Sequence, residues 1–164
     1  FQPYMDVDGH LSLEKALQQT GMKLGISSGR SYSEGIDAAL KKHSDQPNVI
    51  TRAGQDLTRG LLQMLINDRL DYALMFPIEM TYITRELEIT EELVFIPVVE
   101  TPSYLVDYIG CPKNAWGKKV IREVNTVLEK SNQTEIPAFY SYWLDGASRA
   151  RHRHFLKLFY ATKN

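Results

Sequence analysis

Between residues 22 and 99, short apolar runs alternate with longer stretches in which apolar side chains recur every three or four positions. The runs at 22–26, 49–53, 71–76 and 93–99 predict strands, and the periodic stretches at 33–42, 55–67 and 78–87 predict helices. In the helix over 55–67, Leu57, Leu61, Met64 and Leu65 share one face. Pro77 suits a helical first turn, and Pro97 interrupts the last apolar run. Strands separated by helices of about ten residues imply right-handed crossovers. The pattern therefore predicts an α/β lobe with a mainly parallel sheet covered on both faces, whose ligands gather at the carboxyl ends of the strands. Two loops lie at that edge: 27–32 after the first strand and 76–79 after the third.

The flanks differ from this region. Pro3, Asp6, Asp8 and Gly9 break regular structure, so 1–12 reads as a strand and turn leading into a short helix over 12–19. Beyond 101 the pattern predicts a strand over 104–111 and an amphipathic helix over 117–131 carrying Val120, Ile121, Val124, Val127 and Leu128. A break over 132–137 precedes two further helices, at 138–144 and 149–160. Their aromatic residues, Phe139, Tyr140, Tyr142, Trp143, Phe155, Phe159 and Tyr160 among them, mark packing surface, some of which is expected to await a partner.

Composition narrows the class. At 164 residues, 43% hydrophobic and 24% charged, the chain is globular in type and long enough for one domain or two small lobes. Nineteen basic against twenty acidic residues argue against a broad basic face, so no nucleic-acid partner is expected. The lone Cys111 makes no internal disulfide and reads as a small buried hydrophobe on a strand. Apolar runs stay far below the roughly 18 residues that span a bilayer. The chain starts at Phe1 without a basic-then-apolar leader, which suggests a processed product or a piece of a longer chain.

The richest chemistry lies at 22–34, which reads as a buried strand, a glycine loop and a capped helix. Backbone N–H groups at a helix start lack intrahelical partners and favour a carboxylate or phosphate. Ser31 and Glu34 have the spacing of a capping box, placing the helix start near Ser31, and Arg30 adds a planar cation beside it. The stretch Gly25-Ile-Ser-Ser-Gly29-Arg30-Ser31 approaches a phosphate-binding loop but has three residues between its glycines and Arg in place of Lys, so nucleotide hydrolysis is not expected. His152-Arg-His154 lacks a further ligand nearby, leaving 149–154 as a solvated basic face and no metal site. Glu79, Glu86 and Glu88 offer carboxylates without an activated partner, and no serine elbow or Cys/His arrangement is present. No cofactor is implied.

The Gly-x-x-x-Gly-x-Ser loop at 25–31, together with Leu-Leu-Gln-Met-Leu-Ile-Asn-Asp-Arg-Leu-Asp-Tyr-Ala-Leu at 61–74, resembles the extracellular solute-binding proteins of family 3, the type II periplasmic binding proteins that serve ABC importers of amino acids. Residues 104–113 and 116–129, with Asn125 in the helix, are similar to that family's return strand and following helix, and Trp143 matches an aromatic near its carboxyl end. The resemblance spans about 1–145. It implies a two-lobed clamp in which 1–12 forms a hinge strand, 13–103 the second lobe, and 104–164 the returning part of the first lobe, whose amino-terminal half lies outside this sequence. Gln2 to Val7 and Val99 to Tyr104 would be the hinges.

Within the clamp, Arg30 and Ser31 fall where the family holds the ligand carboxylate with two hydroxyl residues; Ser31 keeps that chemistry and Arg30 departs from it. Pro77 falls where amino-acid binders place an aspartate for the ligand ammonium, and Glu79 is the substitute two residues on. The expected ligand-binding residues are Ser28, Gly29, Arg30, Ser31, Tyr32, Phe76, Glu79 and Tyr104. The resemblance implies capture of a small polar or anionic, amino-acid-like molecule in the periplasm or outside the cell, with the membrane permease of an ABC importer as partner. A ligand-sensing module of a membrane receptor is the alternative, and a lyase or peptidoglycan-cleaving relative using Glu79 a third. An isolated fragment would expose apolar surface and pair with a second copy as a homodimer.

Overall fold

The computed structural model describes residues 1–19, 21–102, 104–105, 108–130 and 135–161. A 3-10 turn at Gln2–Tyr4 leads to α1 (Leu13–Leu17), then β1 (Leu24–Ser27), α2 (Glu34–Lys42), β2 (Val49–Arg52), α3 (Leu57–Ile66), β3 (Tyr72–Ala73) and α4 (Pro77–Glu86). The carboxyl-terminal part carries α5 (Ala115–Lys130), α6 (Glu135–Tyr142) and α7 (Gly146–Ala161).

The three strands form an open parallel sheet in the order β2-β1-β3, with Leu24 beside Val49 on one side and Tyr72 on the other. The chain steps outward from β1 to β2 and then returns across β1 to β3, so the two connecting helices cover opposite faces. On one face Leu24 packs with Leu13, Ala16 and Leu17 of α1 and Ile36 and Ala39 of α2. On the other, Leu61 of α3 and Leu70 fill the space that a side chain on Gly25 would need. The result is a mixed α/β arrangement, parallel and flanked by helices as the pattern predicts. Gly25 is therefore a packing glycine inside a strand, which removes it from any loop that grips a ligand.

Three predicted strands are not seen as strands among the described residues, and the first of them, over 1–12, is a 3-10 turn followed by a single bridge. The run at 93–99 reduces to a single parallel bridge of Val98 with Leu11, which itself bridges Met5 in the antiparallel sense. Pro97 has no N–H with which to extend a ladder; its carbonyl accepts from Leu11 N at 2.8 Å, and Val99 N donates to Leu11 O at 2.9 Å. The described residues of 104–111 likewise carry no strand, while 103, 106 and 107 lie outside the described residues. Glu100 ties this returning segment to α1: its carboxylate accepts from Ser12 Oγ at 3.2 Å and from the Leu13 and Glu14 amides at 3.0 Å each, capping a helix 86 to 88 residues away.

The carboxyl-terminal helices meet α4 through Arg85. Its guanidinium lies over the rings of Tyr142 and Trp143 at 5.1 and 5.3 Å, and Tyr82 meets Trp143 edge-on at 5.5 Å. Asp145 accepts from the Ala147 and Ser148 amides at the start of α7. Burial pushes its carboxyl up, but the Ser148 and Ala147 hydrogen bonds outweigh that and hold it below the ordinary aspartate value. Tyr108, Trp116, Val127 and Phe139 are exposed, and Cys111 is half-buried outside any strand. Among the described residues no helix is long and apolar enough to cross a membrane.

Candidate functional site

Every β–α loop of a parallel sheet emerges at the same edge, and here that edge opens as a cleft of about 460 Å³. Ser27 and Arg30 line it from the end of β1, Asp56, Thr58 and Arg59 from the start of α3, and Glu79 and Tyr82 from α4. It falls where the strand order reverses, the position at which open α/β sheets hold their ligands.

Arg30 is the organising residue. Its Nη2 donates to Glu79 Oε1 at 2.9 Å, Nη1 reaches Thr58 Oγ1 at 3.4 Å, and its guanidinium lies over the rings of Phe76 and Tyr32 at 4.8 and 5.4 Å. The other carboxylate oxygen of Glu79 accepts from Phe76 N at 3.0 Å at the head of α4, the half of a capping box that a Phe at the cap still permits. The ion pair thus joins the loops after β1 and β3 and fixes both side chains. Each retains partial exposure, 21% for Arg30 and 31% for Glu79, so both are reachable from the cleft.

The start of α2 is organised differently from the capping-box expectation. The helix begins at Glu34, and its cap is Ser33, whose hydroxyl accepts from Ile36 N at 3.4 Å. Ser31 donates instead to Asp37 Oδ2 at 2.5 Å, and Tyr32 N donates to Asp37 Oδ1 at 3.0 Å. The Ser31 hydroxyl, aided by the Tyr32 amide, holds the Asp37 carboxyl below its usual range. The anion that this loop attracts is therefore the protein's own carboxylate, from the first turn of α2, and it engages the Ser31 hydroxyl and the Tyr32 amide, two groups expected to face a ligand.

The remaining expected residues divide by their surroundings. Ser28 and Gly29 are exposed at the turn; Ser28 N donates to Arg52 O at 2.8 Å, and Gly29 occupies the left-handed region with open space beside its Cα. Tyr32 is buried in the core and its hydroxyl accepts from Ser27 N at 2.8 Å, so it supports the loop from within while its ring lies under the Arg30 guanidinium. Phe76 is half-buried beneath the guanidinium. Tyr104 stands apart from the cleft lining, edge-on to Phe159 at 5.6 Å.

Asp56, Thr58 and Arg59 line the cleft although the sequence reading passed over them, and Ser27 lines it as the first residue of the 27–32 loop, unchosen as a binding residue. The signal was available: 53–56 is also a β–α loop, and parallel topology places it on the same edge as the other two. Asp56 adopts the left-handed conformation, φ 52° and ψ 44°, and its side chain makes no cap bond to α3. Arg59 is held outward by Glu86 at 2.7 Å, and this pairing strengthens the guanidinium's hold on its proton.

The cleft offers a cation, carboxylates, hydroxyls and helix-start amides, which is equipment for holding a polar solute. Glu79 has both oxygens engaged, and among the described residues no imidazole lines the cleft to activate a hydroxyl. A serine–histidine contact lies elsewhere: Ser141 Oγ and His152 Nδ1 are 2.8 Å apart between α6 and α7, with Tyr140 against the imidazole. Burial lowers the His152 pKa, so this imidazole belongs to a helix contact rather than to a fully solvated basic face. No carboxylate is seen bonded to it among the described residues, and none of those residues group three His, Cys, Asp or Glu side chains in reach of one metal ion. No protein-family model matches the chain, and no curated protein or solved structure is found similar to it.

Proposed function

We propose that the chain is part of a type II solute-binding protein of the family 3 kind, which captures a small polar or anionic, amino-acid-like molecule outside the cytoplasm and delivers it to the permease of an ABC importer. The observation that carries this reading is Arg30, held by Glu79 and Thr58 between two aromatic rings at the mouth of a switch-point cleft. A cation and a carboxylate fixed side by side suit a zwitterion, whose acidic group exchanges with Glu79 on Arg30 while its ammonium pairs with the carboxylate. On this reading 13–103 is the second lobe of the clamp, 104–164 belongs to the first, and closure follows from contacts that only the liganded cleft makes with both.

The test is a thermal-shift screen of the chain against amino acids and dicarboxylates, followed by calorimetry on each hit with Arg30→Ala. Loss of a charge-assisted contact of about 1.5–3 kcal/mol should weaken binding of an acidic hit by roughly ten- to a hundredfold. Unchanged affinity in Arg30→Ala overturns the assignment.

A further inference from the structure

We infer that the start of α3, and not that of α2, is the subsite for the acidic group of the ligand, a carboxylate or a phosphate, and that Ser27 completes it. The inference deepens the solute-binding reading and rests on it in using the same cleft.

Two helices begin at this edge, and their first turns stand in opposite conditions. In α2 the cap hydroxyl of Ser33 accepts from Ile36 N, and the Asp37 carboxylate accepts from Tyr32 N and Ser31 Oγ, so that helix start already holds a cap and a carboxylate of the chain's own. In α3 no side chain caps the first turn, because Asp56 is in the left-handed conformation and directs nothing back to the helix. The first intrahelical bond is Gly60 N to Asp56 O at 2.8 Å, so the amides of Leu57, Thr58 and Arg59 precede it without intrahelical acceptors. A ten-residue helix adds the positive end of its dipole at that point.

The second observation is independent of the helix. Ser27 is 4% exposed and lines the cleft, yet its Oγ is buried without any hydrogen-bond partner. A buried hydroxyl left unpaired costs on the order of 1–3 kcal/mol unless something arrives to pair with it. An anion seated on the α3 amides supplies the acceptor that this hydroxyl lacks. Arg52 reinforces the sign of the site: its guanidinium lies against Gly60, leaving no room there for a side chain, and its buried Nε is also without a partner. Arg30 reaches the same turn through Thr58 Oγ1. Arg30 and Arg59 thus stand at a helix end that no side chain caps, beside the carboxylates of Asp56 and Glu79 that line the same cleft.

Amide chemical shifts of the full chain, followed during separate titrations with succinate and with inorganic phosphate, test this directly. The amides of 57, 58 and 59 should move saturably with at least one probe, and the probe that acts tells a carboxylate ligand from a phosphate. Ser27→Ala should weaken that probe about five- to tenfold, as loss of one hydrogen bond does. Stationary α3 amides up to about 50 mM of either probe, or shifts confined to 31–34, overturn the inference. Saturable α3 shifts in a chain that no amino acid stabilises uphold the subsite and remove the amino-acid reading; a chain stabilised by an amino acid while its α3 amides stay still does the reverse.

Discussion

Asp37 occupies the place that an external anion would take at the start of α2, and removing it tests that assignment in two ways at once. Its carboxylate accepts from Ser31 Oγ at 2.5 Å and from Tyr32 N at 3.0 Å while sitting in the first turn of the helix. Two hydrogen bonds at about 0.5–1.5 kcal/mol each, plus about 0.3–1 kcal/mol from the helix dipole, give roughly 1.3–4 kcal/mol, and the better helix propensity of Ala returns about 0.5. Asp37→Ala should therefore destabilise the chain by about 1–3.5 kcal/mol, a fall of roughly 3–10 °C for a chain of this size. The folded-state pKa of Asp37 lies below its ordinary value. The stabilisation is therefore present above the unfolded-state pKa and disappears as pH falls through the folded one. Urea unfolding at pH 7 and again near pH 3 should show a large difference between native and variant chains that shrinks in acid. The emptied helix start should also acquire sulfate sensitivity, so that added sulfate raises the midpoint of Asp37→Ala more than that of the native chain. Equal stabilities at pH 7, or a difference that ignores pH, would refute the claim that Asp37 closes this helix start.

Three further outcomes follow from the packing. Gly25→Ala forces a methyl group into space held by the buried Leu61 and Leu70, and should cost about 1–3 kcal/mol in denaturant midpoint. Glu100→Ala strips three hydrogen bonds from the start of α1, so hydrogen exchange at Leu13 and Glu14 should accelerate while exchange in α3 holds steady. Arg85→Ala removes the cation above Tyr142 and Trp143 at a cost of about 1 kcal/mol, and fluorescence of a single-tryptophan form retaining Trp143 should shift to the red as the indole gains solvent.

Helices and the inner strands were legible because their signals are local. Apolar recurrence at 33–42 and 55–67 falls within a residue or two of α2 and α3, and the run at 49–53 matches β2. The runs at 93–99 and 104–111 looked similar one residue at a time, but a strand exists only if a neighbour accepts its ladder, and Pro97 leaves the first with a single bridge. At the site, Arg30 and Glu79 were both readable as charged residues at the sheet edge, whereas their pairing across 49 positions was not.

The alternation of strand and helix settled, from the chain alone, that a parallel sheet would form and at which of its edges the loops would gather, because periodicity and crossover geometry depend on neighbouring residues and backbone chirality. Tertiary structure decided which polar groups at that edge remain free. Ser31 and Glu34 have the spacing of a cap, yet Ser31 turns to Asp37; Asp56, which the sequence reading passed over, stands at the cap position of α3 in a left-handed conformation and makes no cap bond. Hydrogen bonds are settled by distances of a few tenths of an ångström between groups that folding brings together. That geometry gives the start of α2 a cap and an internal carboxylate and leaves the start of α3 with no side-chain cap.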